Sequence, residues 1–277
     1  MSKLKTPLTI KIYTITYRIM YLVFGFTKGC LGGFWLGIFE KRTLGLMSEF
    51  YYNNHEIYKF RKDYSDKVYD SEEYNKRGLW PWEKEAIDRY FKKSKCLLVG
   101  AAGGGREVLA LRRLGYEVDG FECHPTLVKY ANELLKKERF PSIIKLAPRN
   151  QCPISDKVYD GIIIGWSAYA LIKGRRQRIA FLKDLRKLLK EDSPILFSFF
   201  HRFNIQHRFR LIMIIGNALK WILRKKEYLE EGDDLMIGYV HYFTLKEIAS
   251  ELREAGFKLE FYCIDFYTHA VGVASGS

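Results

Sequence analysis

Leu97-Leu98-Val99-Gly100-Ala101-Ala102-Gly103-Gly104-Gly105-Arg106-Glu107, followed by Tyr116-Glu117-Val118-Asp119-Gly120-Phe121-Glu122, is the stretch on which the fold turns. An apolar run passes through a glycine cluster into a helical pattern carried by Val108, Leu109, Leu111 and Leu114, and a second short strand then ends on a carboxylate. This is how a nucleotide-binding βαβ unit begins. Glycines let the chain turn tightly and let a ligand lie against bare backbone, while the helix N-terminus offers unpaired N–H groups. Glu122, about 20 residues beyond the first glycine, stands where a carboxylate can accept hydrogen bonds from ribose hydroxyls.

Spacing narrows the ligand. A dinucleotide site asks for G-x-G-x-x-G/A, and counting from Gly103 and Gly105 puts Val108 at the third place, which weakens that reading. The stretch resembles motif I of the class I S-adenosylmethionine (SAM)-dependent methyltransferases, which runs roughly acidic-x-G-x-G-x-G, often followed by Arg. Gly103, Gly105 and Arg106 fall in register. Ala101 stands at the first motif glycine, with Gly100 before it as a source of flexibility, and Val99 stands where the family usually has an acid. The resemblance implies SAM as cofactor, held by Gly100, Ala101, Gly103, Gly105 and Glu122, with Asn150 and Gln151 at the adenine edge and Trp166 after the fourth strand.

Working outward, Ser142 to Leu146 reads as a third strand and Tyr159 to Trp166 as a fourth, apolar on both faces as a buried parallel strand must be. Arg178 to Leu189 carries apolar residues at helical spacing, and Pro194 to Phe200 follows as a fifth strand. Thr244 and Glu247 form a capping box, and Gly256 suits the left-handed position that ends the helix. Phe257 to Ile264 and His269 to Ala274 complete the chain as two strands, an antiparallel edge hairpin in this family. The expected architecture is therefore α/β: a Rossmann-like, doubly wound, mostly parallel sheet spanning 80–277. An N-terminal helical extension (1–79) precedes it, and a helical lid insertion (203–236) follows the fifth strand.

Composition bounds the rest. With 277 residues, 48% of them hydrophobic, one enlarged domain can bury an ample core. Cys30, Cys96, Cys123, Cys152 and Cys263 are odd in number and scattered, so neither a disulfide framework nor a cysteine zinc site is expected, and no metal is called for. Ile19 to Phe39 is long enough to cross a bilayer, yet Lys28 near its middle would cost about 2.5–3.5 kcal/mol and five glycines weaken a helix. Packing on the domain, or lying in a headgroup layer through Phe34, Trp35 and Phe39, are the other readings.

The net charge of +14 is concentrated between Lys173 and Lys226. It implies an anionic partner, whether lipid headgroups, a phosphate-bearing substrate or nucleic acid, or else a set of solvated helix faces. The insertion's apolar stretch, Leu211 to Leu223, ends in Arg224-Lys225-Lys226, so an anionic membrane surface is one expected partner.

Methyl transfer from a sulfonium is an in-line displacement, so the protein must align the nucleophile and, for a hydroxyl, remove its proton. Candidate bases belong near the carboxyl ends of the strands. His201, after the fifth strand, and His241, before the capping box, are so placed. The Asn-Pro-Pro-Tyr/Phe signature of amino-methylating enzymes is absent after the fourth strand, and no RNA-binding module is visible. The expectation is a cytoplasmic or peripheral-membrane, O-directed SAM-dependent methyltransferase with a small-molecule, glycan or lipid-linked acceptor. The alternatives are a SAM-binding or membrane-associated accessory protein without turnover, and a nucleic-acid methyltransferase.

Overall fold

A computed structural model describes residues 69–276 apart from 204–205, 223, 225–227, 237 and 266, so the readings of Ile19 to Phe39 and of 1–68 as an extension lie outside the described residues. The architecture is that of the unit formed by 58–234 and 240–277. Helices α1 (Glu72–Lys76) and α2 (Pro81–Tyr90) precede β1 (Cys96–Gly100), α3 (Arg106–Arg113), β2 (Glu117–Glu122), α4 (Pro125–Lys137), β3 (Ile144–Leu146) and β4 (Gly161–Ile164). A 3₁₀ turn at Ala168–Leu171 leads to α5 (Arg175–Lys187), β5 (Pro194–Ser198), β6 (Phe200–His201) and α6 (Gln206–Ile222). The chain closes with β7 (Asp233–Met236), β8 (Gly238–Phe243), α7 (Leu245–Glu254), β9 (Phe257–Cys263) and β10 (His269–Ala274).

Seven strands form the main sheet in the order β3-β2-β1-β4-β5-β10-β9, parallel from β3 through β5, with β10 antiparallel to both β5 and β9. Side chains alternate across it as the two-residue period of a strand requires. Val99, Ile163, Leu196 and Val271 pair in one row and pack with Ile87, Val108 and Leu135 of α2, α3 and α4. One residue back, Leu98, Ile162 and Ile195 form a row toward Leu182, Leu185 and Leu252 of α5 and α7. Both faces are covered, so β1, β4 and β5 are apolar throughout, and each fully buried Leu or Ile contributes about 1.5–3 kcal/mol.

The strand order reverses between β1 and β4, and the crevice at the carboxyl ends of these strands is where an open α/β sheet binds its ligand. Beyond β5 the chain changes partner: β6 pairs in parallel with the end of β8, Phe200 beside Tyr242 and His201 beside Phe243. A second, three-stranded sheet of order β6-β8-β7 results.

Candidate active site

A cavity of about 280 Å³ opens at the switch point. The loop after β1 forms its floor. Gly105 is the left-handed N-cap of α3 at φ +93°, and Gly103 is left-handed at φ +54° with open space where a Cβ would stand, as a surface on which a ligand rests must be. Ala101 shares the left-handed conformation at φ +52°, so the position where the motif has glycine keeps the glycine conformation despite its methyl group. Gly100 has a different role from the flexibility expected of it. A Cβ there would lie 2.6 Å from the Phe121 ring and 2.9 Å from Ile164, so close packing of β1 between β2 and β4 demands glycine.

Glu122 ends β2 and is nearly buried at the cavity wall. Its Oε2 accepts from Gly103 N–H at 2.9 Å, and its Oε1 accepts from the N–H groups of Cys123 and His124 at 2.7 and 3.0 Å. The carboxylate thus ties the glycine loop to the β2 turn. Of its roughly four acceptor positions, about one is left for a ligand hydroxyl. Asn150 and Gln151, after β3, and Trp166, 42% exposed after β4, also line the cavity. Gly100, Gly105, His201 and His241 do not line it.

Three cavity residues, Tyr69, Tyr74 and Asn75, come from the stretch assigned on sequence to the extension. Buried Asn75 donates to Tyr69 C=O at 2.7 Å and Ser71 C=O at 2.9 Å, holding a turn directly over Gly104, where a Cβ would sit 1.9 Å from Tyr69 oxygen. The bare backbone of Gly104 is the sequence signal for this close approach, although it does not name the segment that makes it. Arg106 is fully buried and lines the cavity beside the loop. It pairs with both oxygens of Glu83 at 2.6 and 2.7 Å and with Glu107 at 2.6 Å, anchoring α3 to α2. Burial alone would lower the Arg106 pKa, but Glu107 and Glu83 outweigh it and hold the guanidinium charged.

The two histidines have distinct surroundings. Half-buried His201 places Nδ1 2.8 Å from the Tyr262 hydroxyl, and burial with Arg202 nearby lowers its pKa. Fully buried His241 places Nδ1 2.6 Å from Asp233 Oδ1, while Nε2 has no hydrogen-bond partner among the described residues. Glu230, Asp233 and His241 bring potential ligand atoms within 4.8 Å of one another. Their carboxylates are already engaged: Glu230 accepts from Arg175 N–H and from Arg178, and Asp233 from Glu230 N–H.

Residues 97–197 match the family described as methyltransferase domain. No curated protein sequence matches the chain. Among solved structures, the fold is shared with a SAM-dependent methyltransferase from Methanosarcina mazei, at 16% identity and TM-score 0.55, over 71% of this chain and 96% of that one. A SAM-dependent methyltransferase from Clostridium acetobutylicum superposes at 12% identity and TM-score 0.54, covering 81% and 100% of the respective chains. A sugar N-methyltransferase from Streptoalloteichus does so at 11% identity and TM-score 0.51, covering 81% and 94%. The seven-stranded order and the glycine loop closed by Glu122 agree with this match: residues 97–197 carry a methyltransferase domain, in the fold of the SAM-dependent enzymes, with S-adenosyl-L-methionine as its cofactor.

Proposed function

We propose that the protein methylates a hydroxyl of a small-molecule, glycan or lipid-linked acceptor that enters beside Trp166. The observation that carries this reading is the course of the cavity, which runs from Glu122 at the end of β2 to Trp166 beyond β4. The first end suits a ribose and the second, an exposed aromatic face, suits the apolar side of a sugar or another ring. The Streptoalloteichus neighbour, a sugar N-methyltransferase, is an instance of this scaffold serving a glycosyl acceptor.

The bound cofactor supplies an electrophilic methyl group. Around it, Ala101, Gly103 and Glu122 hold the adenosyl moiety, with Gly100 and Gly105 shaping the loop and Asn150 and Gln151 bordering the adenine. Trp166 excludes water and orients the acceptor. His201 is the first candidate for the acceptor's proton: it lies three residues past β5 and outside the cavity lining, its lowered pKa keeps the imidazole neutral, and with Nδ1 engaged by Tyr262 the free nitrogen is Nε2. His241 is the second. Asp233 orients it and its Nε2 has no hydrogen bond, the Glu247 carboxylate lying 4.0 Å away, but it does not line the cavity.

The test is transfer of labelled methyl from SAM into a panel of hydroxylated, glycosylated and prenylated acceptors, beside calorimetric titration of SAM and S-adenosylhomocysteine. Label should appear in a hydroxyl-bearing product. Tight SAM binding with no labelled product from any acceptor would favour the accessory reading. Label on nitrogen would overturn O-transfer.

A further inference from the structure

Helix α6 presents an apolar stripe outward. Phe209, Gly216 and Lys220 are buried, and on the opposite side Arg210, Ile214, Ala218, Trp221 and Ile222 share one exposed face, spaced at three to four residues. Ile214 is 56% exposed, Trp221 73% and Ile222 65%, values that hold for three large apolar side chains on a single helix face. Phe203, just before the helix, and Tyr228, just after, are exposed as well. Exposed Arg210 borders the stripe on one side and exposed Arg224 follows its end. Of the acidic residues that come next, Glu230 is engaged by Arg175 and Arg178, and Asp233 by His241.

We propose that this face of α6 docks on an anionic membrane surface, Ile214, Trp221 and Ile222 entering the headgroup layer while Arg210 and Arg224 meet lipid phosphates. Three observations select the membrane over a protein partner. Among the described residues the stripe is a row of apolar side chains edged by cations, the pattern of an interfacial helix. Its only charges among the described residues are positive, on a chain of net charge +14. Tryptophan at its end is the side chain whose amphipathic ring favours the water–lipid boundary. Docking does not require spanning, and among the described residues no helix is long and apolar enough to cross a membrane. Because α6 follows β5 and β6, docking there would bring the carboxyl-terminal end of the sheet, which holds the cavity, toward lipid-borne acceptors.

The experiment is co-sedimentation of the full chain with vesicles of phosphatidylcholine alone or mixed with phosphatidylglycerol, at low and high salt. The chain should pellet with the anionic vesicles, less so at high salt. A triple variant, Ile214→Gln, Trp221→Gln and Ile222→Gln, should lose at least tenfold in partitioning. A double variant, Arg210→Gln and Arg224→Gln, should lose about fivefold for each charge removed. All should bind SAM in solution as the unaltered chain does, which separates failure of docking from failure of the methyltransferase reading. If the triple variant misfolds, the conservative Trp221→Phe decides through fluorescence: anionic vesicles should shift the emission of the unaltered chain to the blue, and this substitution should abolish the shift. The proposal is overturned if the chain does not pellet at low salt, if the variants pellet equally, as they would were residues 1–68 to cover the stripe, or if the triple variant changes the oligomeric state, which would assign the face to a second copy.

Discussion

Three backbone N–H groups converge on Glu122, so its replacement unties the glycine loop as well as removing the proposed ribose acceptor. Glu122→Ala is expected to weaken SAM and S-adenosylhomocysteine by tenfold or more, at roughly 1.5–3 kcal/mol for each charge-assisted bond lost, with the far-UV spectrum unchanged. Calorimetry checks it, and unchanged affinity would take the ribose away from this carboxylate. Ala101 offers the opposite kind of change. Holding a non-glycine residue at φ +52° costs about 1–2 kcal/mol, offset in part by the lower entropy of its unfolded chain. Ala101→Gly should therefore stabilise the domain by about 0.5–1 kcal/mol, read as a higher urea midpoint. For His201, burial and then Arg202 disfavour the imidazolium, so the folded-state pKa lies below the ordinary ~6.5 and the folded protein binds fewer protons there than the unfolded one. The neutral base persists through neutral pH, and turnover should fall only on the acid side of about 6.5. His201→Ala should cut turnover by about 10²–10⁴ and remove that acid limb, and a wild-type profile in the variant would transfer the role to His241. At this scale the position of Gly103 and Glu122 at the cavity was legible in the sequence, because it is set by backbone within one βαβ unit. Asp233 beside His241 and Asn75 over Gly104 could not, since each contact joins segments that no local pattern relates.

Asp160 shows how one side chain sets an element's position. It precedes β4, and its Oδ2 accepts from the N–H groups of Lys95 and Cys96, both at 3.0 Å, at the start of β1. Oδ1 meets Lys190 at 2.5 Å. Burial would raise its pKa, but Lys190 and the two N–H groups prevail and bring it to about 2. A depressed carboxylate pKa stabilises the fold above the ordinary value of 3.8 and loses that contribution as the pH falls through about 2. Asp160→Asn should cost about 1 kcal/mol at neutral pH once solvent screening is allowed for, with the difference from the unaltered chain closing between those two values. Urea midpoints against pH test this. Elements whose signals are local were legible: His269–Ala274 is β10, and the Thr244–Glu247 capping box is present with Gly256 left-handed after it. Two others were altered by distant partners. The third strand shrinks to Ile144–Leu146, and the Asn132 side chain holds its first residue by both the N–H and the C=O of Ile144. The fifth ends at Ser198, since Phe199 N–H turns to Thr268 and the next two residues join β8, a change of sheet that a uniformly apolar run does not reveal.

Across the whole molecule, the basic run from Lys173 to Lys226 proves to be two populations. Arg210 and Arg224 are exposed, but Arg178 and Lys220 are buried, so a count of charges along the sequence overstates what is available to an anionic partner. Arg178 is the centre of an internal network: Nη2 donates to Glu251 at 2.7 Å and to Glu230 at 2.9 Å, and the guanidinium lies 5.1 Å from the Phe243 ring centroid. The Tyr169 hydroxyl donates to the same Glu251, joining the turn after β4 to α5, α7 and the return of the insertion. Removing one partner of a buried ion pair leaves the others uncompensated, at about 3–5 kcal/mol. Arg178→Met, which keeps the apolar bulk and deletes the charge, should lower domain stability by that amount in urea titration. Because Glu230 also loses its anchor, the chain between α6 and β7 should open locally at lower free energy than the domain unfolds. Trypsin should then cut after Arg224-Lys225-Lys226 faster than in the unaltered chain, while the seven-stranded sheet stays resistant. Equal cleavage rates with a full loss of stability would instead make Arg178 a clamp of α5 to α7 alone.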